Sequence, residues 1–393
     1  MAAKGASAFK NPEWVKQVVD ANTKFAFNMY KELSTKKQGD NIFFSPVSVS
    51  TALAMTSLGA RGNTETEMKA ALQFAGIDEK ILHGAFQELN GALSSSGENY
   101  TLNTANRLFG RKDYTFLAEF LKSTKDFYSA ETGQLDFAAD PEGSRQTINQ
   151  WVEQQTNSKI KDLMPGGSIN AMTALVLVNA IYFKGNWAEK FDPRGTRSDK
   201  FVTADKKDIQ VQMMFLKKKN RLGFIKELNT MVLELPYVGN ELSMYILLPK
   251  ELGGLPAVEE KLTAQHLLDI ESGLKKVEVD TYLPRFKLSQ EFSLAETLDK
   301  MGMHDAFVGG QADLSGMDGG RQLFISKVMH KAFIEVNEEG SEAAAATGVG
   351  IMMAMLPQII EFRACHPFLF LIRHNASGAV LFMGRVSKPE SEE

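Results

Sequence analysis

Cysteine is almost absent from this chain of 393 residues: Cys365 stands alone. A single thiol excludes an intrachain disulfide and any paired-cysteine metal centre, and it leaves the redox compartment open. The 12 prolines nowhere combine with Gly and Ser into a linker, so the chain reads as one large domain, residues 1–393. No segment approaches the roughly 18 consecutive apolar residues that a membrane span needs, and the first ten residues hold no apolar signal core. The expectation is a leaderless protein, cytoplasmic or secreted without a leader; had a signal peptide been removed, it would be extracellular. A formal charge of -4 gives no general attraction to nucleic acid or to anionic membranes. The one dense basic cluster, Lys217, Lys218, Lys219 and Arg221, reads as a solvated turn.

Motifs for chemistry are missing as well. There is no Gly-x-Ser-x-Gly elbow, phosphate loop, His-Glu-x-x-His or paired Cys spacing. Gly348 and Gly350 lack the third glycine and the later acidic residue of a dinucleotide fingerprint. His83, His266, His304, His330, His366 and His374 are scattered without metal-ligand spacing. Cys365 adjoins His366, but neighbours on a strand point to opposite faces, which separates a thiolate from its imidazole. Neither a cofactor, a metal nor a catalytic residue is therefore expected.

What the chain has in quantity is core material: 44% hydrophobic residues, with 26 Phe and 18 Met. Asn11 as N-cap with Pro12 opens a helix carrying Phe25, Met29 and Leu33 at helical spacing. Residues 41–44 read as a short strand running into Ser45-Pro46, the start of a helix that Gly59 closes. Thr64 and Glu67 resemble a capping box for a third helix, and residues 78–93 form a fourth. A strand over 100–109 is followed by helices over 115–128 and 143–157. Residues 173–183 are apolar without alternation, as in a central strand covered on both faces. Residues 231–237 and 242–248 make a hairpin, 277–288 a strand interrupted at Pro284, 292–301 an amphipathic helix, 323–336 a strand, and 368–372 with 379–386 a last hairpin. Helices gather in the first half and strands in the second, which indicates α+β. On the strand over 323–336, His330 shares a face with Phe324, Val328, Ala332, Ile334 and Val336, so it is interior and needs a hydrogen-bond partner.

One stretch resists this reading. After Glu338 and Glu339 come Gly340, Ser341, Glu342, Ala343, Ala344, Ala345, Ala346 and Thr347. The alanines favour a short surface helix or a spacer. Yet Val349, Ile351, Met352, Met353, Met355 and Leu356 follow at once, apolar side chains that a solvated spacer has no reason to expose.

Seven segments, in order and over nearly the whole chain, resemble the serpin family. They are Asn41-Ile42-Phe43-Phe44-Ser45-Pro46, Gly59-Ala60-Arg61-Gly62-Asn63-Thr64, Asn179-Ala180-Ile181-Tyr182-Phe183 with Lys184-Gly185-Asn186-Trp187, and Leu283-Pro284-Arg285-Phe286-Lys287. Ala312-Asp313-Leu314-Ser315-Gly316, His366-Pro367-Phe368-Leu369-Phe370 and Leu381-Phe382-Met383-Gly384-Arg385 complete the set. The style is closest to the ovalbumin-like, leaderless branch. The resemblance implies three β-sheets, about nine helices and a reactive-centre loop over about 338–362, offered to a serine protease as a pseudo-substrate. By the family's spacing from Gly340, the reactive bond is Ala354–Met355, with Met352, Met353 and Leu356 as neighbours that set specificity. Glu338 and the residues from Gly340 to Thr347 match the hinge. Ser45, Ser48, Asn179 and His330 match the hydrogen-bonded shutter beneath the large sheet, and Trp187 and Arg285, with Glu338, the breach where the loop enters it.

The resemblance further implies suicide inhibition: acylation on Ala354, then insertion of the loop into the sheet from a metastable starting fold. Small side chains suit that passage, and Ser341, Ala343, Ala345 and Thr347 would alternate inward. Ala354 beside Met353 fits the apolar pocket of an elastase-like protease, then a chymotrypsin-like one; cysteine proteases are a further class of partner. The fourth helix carries Lys80 as its one Lys or Arg, so heparin acceleration is not expected. A monomer is expected, without nucleic-acid or membrane partners. The alternative is a non-inhibitory member with a carrier, chaperone or storage role, in which the hinge usually departs from small residues.

Overall fold

The computed structural model describes residues 9–94, 99–339 and 359–390. In chain order the first half holds α1 (Pro12–Lys36), β1 (Ile42–Phe44), α2 (Pro46–Ser57), α3 (Gly62–Ala71), α4 (Glu79–Ser94), β2 (Tyr100–Arg111), α5 (Ala118–Tyr128), β3 (Thr132–Leu135), α6 (Pro141–Gln155) and β4 (Leu175–Gly185). There follow β5 (Arg197–Val202), β6 (Asp208–Ile225), β7 (Thr230–Pro236), β8 (Leu242–Pro249), α7 (Leu255–Lys261), α8 (Ala264–Leu268), β9 (Lys275–Pro284) and β10 (Phe286–Ser293). The chain ends with α9 (Ala295–Lys300), α10 (Ser315–Asp318), β11 (Ile325–Val336), β12 (Ile360–Arg363), β13 (Phe368–His374) and β14 (Val380–Val386). The α+β expectation is met.

A five-stranded sheet has the order β10-β11-β4-β2-β3, and a nine-stranded network runs β1-β14-β13-β8-β7-β6-β9-β12 with β5 also on β6. The expected third sheet is the β5, β6, β9, β12 part of that network. It is joined to the rest because β6 is 18 residues long: its last residues pair with β7 while its middle pairs with β9. The strand expected to be interrupted at Pro284 is two strands, β9 and β10, one in each sheet. Proline lacks the N–H that a continuous ladder would need, so the change of sheet falls where the ladder must break anyway.

β4 is buried along nearly its whole length. Leu175 and Leu177 pack into the cluster that contains Phe25, Met29 and Leu53, whereas Val176, Val178 and Ala180 face Ile148 and Val152 of α6. Covering on both faces is why the sequence shows no alternation there.

Several local expectations are corrected. The basic cluster is not a turn: Lys217, Lys218, Lys219 and Arg221 lie within β6, paired with β9. The three lysines are exposed, and Lys218 meets Glu189 at 3.0 Å while Arg221 meets Glu234 at 2.6 Å. With both faces of the strand open at these lysines, no alternation of charge and apolar residues marks it in the sequence. Thr64 and Glu67 do not cap α3, which starts at Gly62. They cap other backbone instead: Thr64 Oγ1 accepts from Asp313 N at 2.9 Å, and Glu67 Oε2 accepts from the N–H groups of His304 and Asp305 at 2.8 Å each. Asn11 precedes α1 without capping it; its amide turns to Glu88. The amphipathic helix expected from Phe292 starts at Ala295, because Phe292 pairs with His330 in the sheet, and α5 starts at Ala118, not 115.

Candidate functional site

The five-stranded sheet places one polar row across its centre. Asn106 of β2 stands opposite Asn179 of β4, and Asn179 opposite His330 of β11. α2 meets this row at its amino terminus: Ser45 is the N-cap, its Oγ accepting from Ser48 N at 3.3 Å and donating to Leu381 O at 2.6 Å. Ser45 N donates to His330 Nε2 at 3.1 Å. That nitrogen is therefore the acceptor, and Nδ1 carries the proton shared with Asn179 Oδ1. The Asn179 amide nitrogen donates to Ser48 Oγ at 2.5 Å and to Asn106 Oδ1. Ser45, Ser48, Asn179 and His330, expected to meet, do meet. Burial pushes the pKa of His330 down to about 3, against a hydrogen bond donated to Asn179 that acts the other way, so the ring is neutral. Asn106 was missed, although an asparagine on the strand face shared with Leu102 and Leu108 was a visible signal.

The second cluster sits where β11 ends. Arg285, in the crossing from β9 to β10, clamps the Glu338 carboxylate with Nε at 2.9 and 2.8 Å and Nη2 at 2.6 Å. The Thr196 hydroxyl donates to the same carboxylate. Burial raises the Glu338 pKa, but the bonds from Arg285 and Thr196 outweigh it and the net shift is downward. Trp187 Nε1 donates to Asn337 O at 3.0 Å, Trp187 N to Glu339 O at 2.9 Å, and Phe191 N to Glu338 O at 2.9 Å. The indole stacks on Tyr237 with centroids 4.5 Å apart. The chain is thus pinned by side chain and backbone up to Glu339. Thr196, Phe191 and Tyr237 carried no sequence signal for this role.

Between the two clusters, β4 and β11 are parallel and bonded directly to each other from Leu175 and Ile325 to Phe183 and Ile334. Gly340, Ser341, Glu342, Ala343, Ala344, Ala345, Ala346, Thr347, Met352, Met353, Ala354, Met355 and Leu356 lie outside the described residues. The chain is described again from Ile359, and β12 pairs with β9 in the nine-stranded network.

No enzyme-like constellation accompanies these clusters among the described residues. Cys365 and His366 lie between β12 and β13, and His366 Nδ1 faces the Pro367 carbonyl at 3.3 Å. Burial raises the Cys365 pKa, unlike that of an activated thiol. Among the described residues, no group of three or more His, Cys, Asp or Glu is placed to hold a metal ion, and no helix is long and apolar enough to cross a membrane.

Residues 20–389 match the family model described as serpin (serine protease inhibitor). The chain is 48% identical over 381 residues to the leukocyte elastase inhibitor of Bos taurus and 47% identical over 382 residues to that of Homo sapiens, covering 95% of this chain and 100% of each relative. Uncleaved ovalbumin superposes with a TM-score of 0.87 at 32% identity, over 95% of this chain and 100% of that one. Thyroxine-binding globulin in complex with thyroxine superposes at 0.85 with 33% identity, over 95% of this chain and 99% of that one. With the sheet order, the two polar clusters and a family match over nearly its whole length, the chain belongs to the serpin family.

Proposed function

We propose that the protein inhibits elastase-like serine proteases as a suicide pseudo-substrate with Ala354–Met355 as the reactive bond. The observation that carries the reading is the parallel β4–β11 pair. A chain leaving the end of β11 can return beside it only in the antiparallel sense, and β4 runs parallel to β11, so one returning strand fits antiparallel to both neighbours. It would replace a parallel ladder by two antiparallel ones, which are slightly more stable per residue. Residues 340–354 span roughly 50 Å at about 3.3 Å per residue, long enough to run the length of β11.

The chemistry is the protease's. Its serine oxygen attacks the Ala354 carbonyl carbon, the Ala354–Met355 bond breaks, and the proton passes to the Met355 nitrogen, leaving an ester on the protease. Water would normally cleave that ester. Insertion of residues 340–354 pulls the attached protease along the sheet and distorts its site first. The drive is formation of a new central strand by residues 340–354, released from a kinetically trapped fold. The hinge composition favours this reading over a non-inhibitory carrier role: Ser341, Ala343, Ala345 and Thr347 are small and uncharged. The leukocyte elastase inhibitors supply the target class, and Ala354 suits its pocket.

The test is incubation with pancreatic and neutrophil elastases, followed by denaturing gels and mass determination of the released peptide. A covalent complex and a fragment beginning at Met355 are expected. Cleavage with full recovery of protease activity, or a cleaved chain no more heat-stable than the intact one, refutes the reading.

A further inference from the structure

A cavity of about 680 Å³ lies among α3, α4, α5 and α10, lined by these helices and the turns at their ends and by no strand. Its size falls within the roughly 300–1,000 Å³ of small-molecule sites. Leu58, Leu117, Phe120 and Phe127 give it apolar walls, and both aromatic rings come from α5.

His83 of α4 also lines this cavity and is 6% exposed. Its Nδ1 meets the Tyr128 hydroxyl at 2.6 Å, and its ring centroid stands 5.7 Å from that of Phe127 and 5.8 Å from that of Tyr128, so the imidazole is fixed in orientation. The Tyr128 hydroxyl has no other hydrogen-bond partner among the described residues. If Nδ1 carried the imidazole hydrogen, both groups would present a donor and the Tyr128 O–H would be left without an acceptor. The hydroxyl therefore donates to Nδ1, and the imidazole hydrogen is on Nε2. Nε2 has no partner among the described residues. A nearly buried donor, fixed by its other nitrogen, thus borders the cavity.

The charges around it balance. Lys69 bridges Glu65 at 2.5 Å and Glu79 at 3.1 Å, and Glu119 shares the lining with Arg61 and Lys80. The carboxylates Glu65, Glu79 and Glu119 are thus matched by Lys69, Arg61 and Lys80, and the cavity favours neither an anion nor a cation. Apolar and aromatic walls with one buried donor and no net charge are complementary to a neutral molecule that carries an acceptor. We propose that this cavity binds a small neutral aromatic carbonyl compound, its oxygen on His83 Nε2–H and its ring against Leu117, Phe120 and Phe127.

The test uses the full chain and calorimetry with N,N-dimethyl-2-naphthamide, whose carbonyl accepts and which donates nothing, beside the charged analogues 2-naphthoate and 2-naphthylmethylamine. The amide is expected to bind at least about threefold more tightly than either charged probe. His83→Phe keeps a ring and removes the donor, and it should weaken the amide about two- to tenfold. His83→Gln, whose side-chain N–H can stand in for Nε2–H, should recover most of that loss. Ser123→Trp, which fills the cavity from α5, should abolish binding. Nitrogen NMR of the histidine side chains should find His83 protonated on Nε2, with that resonance shifted when the amide binds. A proton on Nδ1, equal affinity for the probes, no binding at millimolar concentration, or amide binding unchanged by His83→Phe or by Ser123→Trp overturns the proposal; matching circular dichroism and melting of the variants guards against misfolding. None of these readouts depends on protease inhibition.

Discussion

Replacing Asn179 by Ala separates the states of this fold thermodynamically. In the described state, Asn179 holds the His330 Nδ1 proton, Ser48 Oγ and Asn106 Oδ1 at once, and His330 is fully buried. Truncation strands the imidazole N–H without a partner and deprives the two acceptors of their donor. An unpaired buried polar group costs about 1–3 kcal/mol, and Ser48 and Asn106 still face each other at 3.4 Å. A total near 3 kcal/mol follows, by the same scale. With about 2.1 cal/mol/K of unfolding entropy per residue over 393 residues, that is a fall of about 4 °C in the melting temperature. In the loop-inserted state a new strand lies between β4 and β11. Adjacent strands are about 4.8 Å apart, so Asn179 and His330 stand about 9.6 Å from each other and their bond is already gone. The cleaved Asn179→Ala protein should therefore melt within about 2 °C of its cleaved parent, keeping only the smaller loss at Ser48 and Asn106. Scanning fluorimetry of intact and loop-cleaved protein at one scan rate makes the comparison. Equal falls in both forms would refute the idea that the row acts as a latch on the uninserted sheet.

Three further outcomes are expected. Arg285→Ala leaves the Glu338 carboxylate, 5% exposed, with Thr196 as its remaining side-chain donor; with Arg285 itself 44% exposed the cost is about 1–3 kcal/mol. Glu338→Gln, which removes the charge too, should be milder; time courses of residual elastase inhibition at constant temperature should show faster loss for Arg285→Ala, and the reverse order would contradict the buried-charge argument. Burial holds His330 and His83 neutral, with pKa values of about 3 and 4. The unfolded chain takes up these protons below 6.5, so stability is full above that pH and falls as pH drops toward 4, by about 1.4 kcal/mol per unit for each ring. His83→Gln should flatten the melting profile between pH 6.5 and 5, and an unchanged slope would count against it. Ser341→Arg and Ala345→Glu should leave folding and cleavage after Ala354 intact while abolishing the covalent complex on gels.

The sequence-to-structure gap follows the source of each signal. β4 was readable because burial on both faces leaves a long apolar run, and β11 through the apolar face of Val328, Ala332, Ile334 and Val336, on which a polar side chain such as His330 must be partnered. Ser45 was readable because an N-cap before proline is a local device. β6 was not, since Lys217, Lys218 and Lys219 are all exposed where both faces of the strand are open, which leaves no alternation to read. Thr64 and Glu67 misled for a related reason: their spacing suits a capping box, but the backbone they cap lies more than 200 residues away. Arg285, Trp187 and Glu338 were found through the family resemblance alone, and Thr196 has no local pattern to betray it. The composition of residues 340–347 bears on the proposed mechanism through every second side chain, because passage into a sheet would constrain each of them.

The nine-stranded network also bears on how the protein is made. Its last strand in sequence is not at its rim: β14 lies between β1 and β13, and β13 lies against β8. The strand that begins the network and the hairpin β7–β8 cannot be joined until the final residues exist, whereas all five strands of the other sheet are complete once Val336 has been made. A chain made as far as Val336 has every strand of that sheet, and in the proposed mechanism residues 340–354 can enter between β4 and β11 while the neighbouring core is still open. In that mechanism the closing of the core competes with premature insertion for as long as the roughly 50 residues between the ends of β11 and β14 take to be made, about 3–10 s at about 5–20 residues per second.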